Sequence, residues 1–408
     1  MSYMNLIKEK DYLKILIAGV INRFGDSIDA IAMTWLVYSV SQNASLTALN
    51  FGINFVPTVL IQPFAGAYVE KLNHKKILVF MDLLRGVVVF LIALLTYFQC
   101  IEGWMIIVAT FLLSTAEAFR MPANNALTPV IVKKENFNEA ISLQSSMFRL
   151  SELIGTGVAG IIIGLCGVHV AIAIDALSFF FSGSIILMVK AKSYLRIEHQ
   201  NKIFTDFKKG IKYLFHTKCL MRICLIGTIV NALLVPINSL ETVLCIEVYH
   251  MGAELLSLMG IFSTIGSIVG AFIYPYLAKR YTERQFIVSF LLTMSLFYFI
   301  CILNKVFLNL IFLFYIHLII SYFSLGAGAA VLSTYSSVNL LDKVDESFLA
   351  RVSAVCVSLC TAAVPLCSFL VSFLSTFINV SDVFIVIAIL SLLLAVLYSI
   401  ISKKRWLE

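Results

Sequence analysis

The stretch GAYVEKLNHKK (residues 66–76) decides the fold, because of what flanks it and because it recurs. It is a short polar break between two long apolar runs. A weaker copy, GAFIYPYLAKR (270–280), breaks the chain again 204 residues later, half of the 408-residue length. Each copy opens on a glycine at the end of an apolar run and closes on paired basic residues, Lys75 and Lys76 in the first and Lys279 and Arg280 in the second. Internal repeats of this size are how many membrane transporters build two related helix bundles.

The flanks are too apolar for water. Hydrophobic residues make up 60% of the chain and charged residues 13%, against about 45–50% and about 25% in soluble domains. A soluble fold of this length could not hide that excess, because most of a protein's surface faces solvent. A hydrocarbon core of ~30 Å takes ~20 apolar residues of helix. Twelve runs fit: 12–40, 46–69, 77–99, 104–129, 140–165, 168–190, 219–248, 254–278, 285–303, 307–334, 349–376 and 381–402. The expected fold is therefore an all-α membrane protein of twelve transmembrane helices. Separators are short and polar, except 191–218, which divides the chain into six-helix bundles over 1–190 and 219–408. Within that linker Ile203, Phe204, Phe207, Ile211, Leu214 and Phe215 recur at spacings of three and four, with Lys202, Lys208, Lys209 and Lys212 between them. The pattern predicts an amphipathic helix on the cytoplasmic leaflet; a calmodulin-like partner site would carry the same pattern.

The basic residues orient the chain. Of the 30 Lys and Arg, five are arginines inside runs (Arg23, Arg85, Arg120, Arg149, Arg351), 24 lie in segments on the side of the N-terminus, and only Lys305 lies opposite. Both termini are expected in the cytoplasm of a cell (plasma or inner) membrane. The same distribution accounts for the net charge of +7 without nucleic acid. Nine cysteines include no CxxC pair, and no His/Cys cluster has metal spacing, so neither a disulfide framework nor a metal site is expected. No Walker loop, HExxH, GxSxG or dinucleotide glycine pattern is present, which argues against an enzyme and against a bound cofactor. The first apolar run is too long for a cleavable signal peptide and has no cleavage site after it. Trp104 and Trp406 read as interfacial anchors.

A glycine, three residues, an acid, a base and further bases resemble the signature loop of the major facilitator superfamily. Gly66, Glu70, Lys71 and Lys75 carry the match. Glu70 replaces the usual Asp, and Asn73 replaces a Gly, as the next-best residue for a left-handed turn. The second copy has Tyr274 where the acid would stand. RFGDSI (23–28), MDLLRG (81–86), FRMPANNALTP (119–129) and FKKGIKYLF (207–215) resemble the macrolide-efflux branch. IGTGVAGIIIG (154–164) has the glycines of that branch's fifth helix but not its proline. The resemblance implies a monomeric secondary transporter that exports macrolide-like amphipathic molecules by alternating access. Siderophore or lysolipid export, uptake, and a channel or scramblase remain alternatives.

Charged residues inside spans cost ~2.5–3.5 kcal/mol at mid-helix on insertion scales, so they mark function. Run one holds Arg23, Asp26 and Asp29, run four Glu117 and Arg120, and run five Arg149 and Glu152. Spacing of three puts the members of each set on roughly one face of their own helix. Asp26, Asp29 and Glu117 are the candidate proton carriers, Asp29 foremost because no base neighbours it in its helix. Burial favours a neutral carboxyl and a nearby Arg favours the charged form. The bland alternative is static pairs that lock the helices. By resemblance, Gly66, Glu70 and Lys71, with Asp82, Arg85 and Arg351, form a cytoplasmic gate. Runs one, four, seven and ten line the cavity in that superfamily, which points to Trp35, Asn231, Asn238, Glu241, Tyr315, His317 and Tyr322 as substrate contacts.

Overall fold

A computed structural model describes residues 9–69, 72–132, 136–190, 212, 214, 217–344 and 346–404. Thirteen long α-helices run through these residues. They are α1 (Lys10–Ser41), α2 (Ala44–Leu60), α3 (Gln62–Val69), α4 (His74–Tyr97), α5 (Gly103–Ile131), α6 (Phe137–Cys166) and α7 (Val168–Leu187). After the linker come α8 (Lys218–Val243), α9 (Ala253–Leu277), α10 (Glu283–Leu303), α11 (Ile311–Lys343), α12 (Glu346–Leu374) and α13 (Val380–Lys404).

These make twelve crossings of the bilayer. Ten helices are long and apolar enough to cross it on composition. The other two crossings have local reasons for falling short. Helix α1, 32 residues and therefore ~48 Å long, carries Arg23, Asp26 and Asp29 at mid-length. The second crossing is broken into α2 and α3. Pro63 has no N–H to give back along the helix. The Ile61 N–H still bonds to the Pro57 carbonyl at 2.8 Å, but the N–H groups of Phe64 and Ala65 both turn to the Ile61 carbonyl at 3.0 and 2.8 Å.

The chain divides into two compact units, Met1–Leu46 with Ile53–Asn201, and Thr47–Gly52 with Lys202–Glu408. In the first, α7 packs against both α1 and α4, while α1 also meets α6 and α4 meets α5. In the second, α9 packs on α11, α10 on α13, and α8 on α12. The α9–α11 contact is a seam of small residues. A Cβ at Gly326 would sit 2.0 Å from the Ser263 carbonyl oxygen, and one at Gly266 would sit 2.2 Å from that of Phe323. Close backbone approach of this kind is how helices associate where lipid removes the hydrophobic drive. The outer surface carries Leu165, Phe272, Phe312 and Phe373 well exposed, which suits acyl chains and not water.

Helix ends explain the separators. Asn43 and Asn73 cap α2 and α4, their side chains accepting the N–H of Leu46 at 3.2 Å and of Lys76 at 3.1 Å. Asn73 has φ −70° and ψ 104°, so the left-handed turn expected there is replaced by an extended N-cap. Lys75 donates to the carbonyls of Leu187 and Val189 at 2.8 and 2.7 Å, and Lys14 to that of Met188 at 2.8 Å. Two ammonium groups thus cover the carbonyl end of α7, the favourable end of its dipole for cations. The expected linker helix and Trp406 lie outside the described residues.

Candidate functional site

The motif MDLLRG places Asp82 and Arg85 three residues apart on α4, hence on one face. Both are buried. The Arg85 guanidinium donates through Nη2 to Asp26 Oδ1 on α1 and through Nη1 to Glu117 Oε2 on α5, each at 2.7 Å. It also lies 4.1 Å from the ring centroid of Phe179 on α7, a cation–π contact. One arginine therefore ties four helices together. Arg120 on α5 donates to Asp82 Oδ1, and its Nη1 is 4.0 Å from Glu117. Ser182 on α7 donates to the other oxygen of Asp82 at 2.7 Å.

A fifth carboxyl belongs to this cluster. Asp175 on α7 is 1% exposed and accepts the Ser178 hydroxyl at 3.1 Å. It faces α1 where RFGDSI supplies a glycine. A Cβ at Gly25 would sit 2.0 Å from Ser178 Oγ and 2.3 Å from Asp175 Oδ1. Only glycine lets the two helices approach this closely. Asp29 and Asp26 on α1 act electrostatically on Asp175, Asp29 the more strongly.

The expected acid–base sets reach across helices more than along them. Arg23 pairs with Glu152 of α6 at 2.9 Å instead of with Asp26, and Arg149 meets the same carboxylate at 3.3 Å. Asp26 takes Arg85 instead. Glu117 prefers Arg85 at 2.7 Å to its helix neighbour Arg120 at 4.0 Å. Asp82 and Arg85, expected at a cytoplasmic gate, are bonded into this network, with Arg85 halfway along α4. Of the other gate residues, Gly66 is in α3, Glu70 and Lys71 lie outside the described residues, and Arg351 is in α12 with its side chain not described.

The expected cavity residues have varied surroundings. Asn231 donates to the Cys360 carbonyl at 3.0 Å, which commits it to joining α8 and α12. Glu241 lies against Tyr322, and no described base pairs with it. His317 stands edge-on to Phe307 with ring centroids 4.7 Å apart. Trp35 is half-buried, while Asn238 and Tyr315 are exposed. Among the described residues no His, Cys, Asp or Glu group is arranged to hold a metal.

Sequence reasoning missed Asp175. It has no base three or four residues away, and it sits in a strongly apolar run. That isolation is itself the signal, because an uncompensated charge in a span marks a functional position.

A family model described as transmembrane secretion effector matches residues 2–407. Macrolide efflux protein A of Enterococcus faecalis is 23% identical over 239 residues, 58% of this chain and 74% of its own length. The protein of the same name from Streptococcus pyogenes is 23% identical over 261 residues, 63% of this chain and 64% of its own length. The chain thus spans less than two thirds of that second relative. The staphyloferrin A transporter of Staphylococcus aureus is 23% identical over 303 residues, 74% of this chain and 75% of its own. Among solved structures, the nucleoside transporter NupG superposes with a TM-score of 0.77 at 12% identity, covering 96% of this chain and 99% of that one. This last likeness is one of fold.

Proposed function

The chain belongs to the transmembrane secretion effector family, of major facilitator type, and from that premise we propose that it is a proton-coupled exporter of macrolide-like amphipathic molecules, working by alternating access. The observation that carries the coupling is the buried cluster of the first unit. Five carboxyls, Asp26, Asp29, Asp82, Glu117 and Asp175, meet two guanidinium groups, Arg85 and Arg120. An excess of acid inside an apolar bundle is stable only if protons make up the difference. One proton moving down 100 mV yields ~2.3 kcal/mol, enough for about fiftyfold accumulation.

Export of macrolides follows the relatives named for macrolide efflux, and both termini are placed in the cytoplasm by the basic residues. The protein acts as a monomer. Gly66, Glu70, Lys71 and Arg351 serve the cytoplasmic gate, while Trp35, Asn238, Glu241, Tyr315, His317 and Tyr322 offer substrate contacts. Siderophore export is the second reading, favoured by the likeness to the staphyloferrin A transporter.

The test is erythromycin movement in proteoliposomes under an imposed pH gradient. Accumulation against the erythromycin gradient is expected, abolished by a protonophore and by Asp29→Asn. A flux that only equalises concentrations identifies a channel or scramblase instead. Undiminished coupling in Asp29→Asn sinks the assignment of that residue.

A further inference from the structure

The guanidinium groups of the cluster are fully committed. Arg120 is bonded to Asp82, and the two terminal nitrogens of Arg85 are bonded to Asp26 and Glu117. The remaining Arg85 nitrogen, Nε, is buried without an acceptor, so it does not turn to a further acid. Asp29 and Asp175 are the two acids left without an ion pair. Each has one buried carboxyl oxygen, Asp29 Oδ1 and Asp175 Oδ2, with no hydrogen-bond partner among the described residues. An orphaned oxygen on a buried ionised carboxylate is costly, and both acids carry one.

No other described group faces this pair. The elements packed on α7 are α1, α4 and α6. From α1 come Asp26 and Asp29, with Arg23 turned away to Glu152. From α4 come Arg85 and Asp82, both engaged as above. The charged pair of α6, Arg149 and Glu152, is closed on itself and on Arg23. On α7 itself, His169 stacks near Tyr97, ring centroids 5.4 Å apart.

We propose that Asp29 and Asp175 share a single proton, as a carboxyl–carboxylate pair bridging α1 and α7. Two like charges in a low-dielectric site do not both stay ionised. A proton taken from water adds to one carboxylate oxygen, and the charge of the pair goes from −2 to −1. Losing it puts a second negative charge beside Arg85, in competition with Asp26 and Glu117. Protonation is thereby linked to the tie that holds α1, α4 and α5 together. The proposal deepens the coupling reading above and rests on it for its use in transport.

The experiment is infrared spectroscopy of the purified protein in lipid nanodiscs at neutral pH. The protonated-carboxyl C=O stretch is identified by its shift in D2O, and no transported ligand is needed. The wild type is expected to show the band. Asp175→Asn and Asp29→Asn are each expected to lose it, because the acid left behind no longer has a like charge beside it and ionises. Asp175→Asn keeps the size and the Ser178 contact, so a merely structural Asp175 would leave the band in place. Glu152→Gln is expected to retain the band, and Asp175→Glu to retain it at a shifted frequency. Either Asn variant reports on the pair, so one that folds is sufficient, as judged by thermal unfolding. A wild type without the band, or a full band in Asp175→Asn, overturns the proposal. Proton-driven erythromycin efflux without the band sinks the pair and leaves the exporter reading intact. The band without such efflux upholds the pair and sinks the coupling.

Discussion

Replacing Arg85 by Met removes the one cation that joins α1, α4, α5 and α7. Each of its two 2.7 Å ion pairs has a gross Coulomb energy of about 6 kcal/mol at an effective dielectric near 20, most of it offset by desolvation. Breaking a buried pair from one side costs about 3–5 kcal/mol, because the partner charge is stranded. The two partners are not equal. The Asp26 side chain is 26% exposed and that of Glu117 38%, so water screens much of the Glu117 half. The expected loss is therefore about 3 kcal/mol and not the sum of two pairs. For a cooperative bundle of ~200 residues this lowers Tm by ~6–12 °C. The assay is thermal unfolding of purified protein in one detergent at neutral pH. Arg85→Lys keeps the charge but not the fork that holds two carboxylates, so it should fall between wild type and Met. Adding Asp26→Asn to Arg85→Met removes the stranded charge and should recover part of the loss. A fall of less than about 2 °C for Arg85→Met, or no recovery in the double variant, refutes the reasoning.

Other expectations follow from single contacts. Ser182→Ala deprives the buried Asp82 carboxylate of a 2.7 Å donor. It should cost about 2 kcal/mol, or ~4–8 °C in the same assay. Gly326→Val should fail to fold or lose well over 10 °C by a rough reckoning, because its Cβ would meet the Ser263 carbonyl oxygen at 2.0 Å and force α9 and α11 apart. Gly103→Ala is its counterpart, since the nearest atoms to the new Cβ, on Leu46 and Ser41, are 3.7 Å away; Tm should move by no more than about 2 °C. Asn231→Ala should cost about 1 kcal/mol through the lost bond to the Cys360 carbonyl. It should leave the choice of transported drug unchanged, as read by efflux of erythromycin against other macrolides.

The sequence by itself determined the crossings. Whether a stretch lies in lipid depends on its own composition over ~20 residues, a local and additive quantity. The runs accordingly match α1 to α13 to within a few residues over most of the chain. The exceptions are the break between α2 and α3 and the extension of α11 to Lys343. The intramembrane charges were also legible as a set, since any charge in a span stands out against its neighbours. Their pairing was not. Spacing along a helix says which residues share its face, but not which face of another helix that face meets. That depends on the rotation and axial offset of each helix, which packing fixes through contacts such as Gly25 on Asp175 and Ser178. Hence Arg23 found Glu152 and not Asp26, and Asp82 and Arg85 joined the central network and not a loop. Asp175, with no charged neighbour in its own helix, became part of the cluster only when α7 closed on α1 and α4.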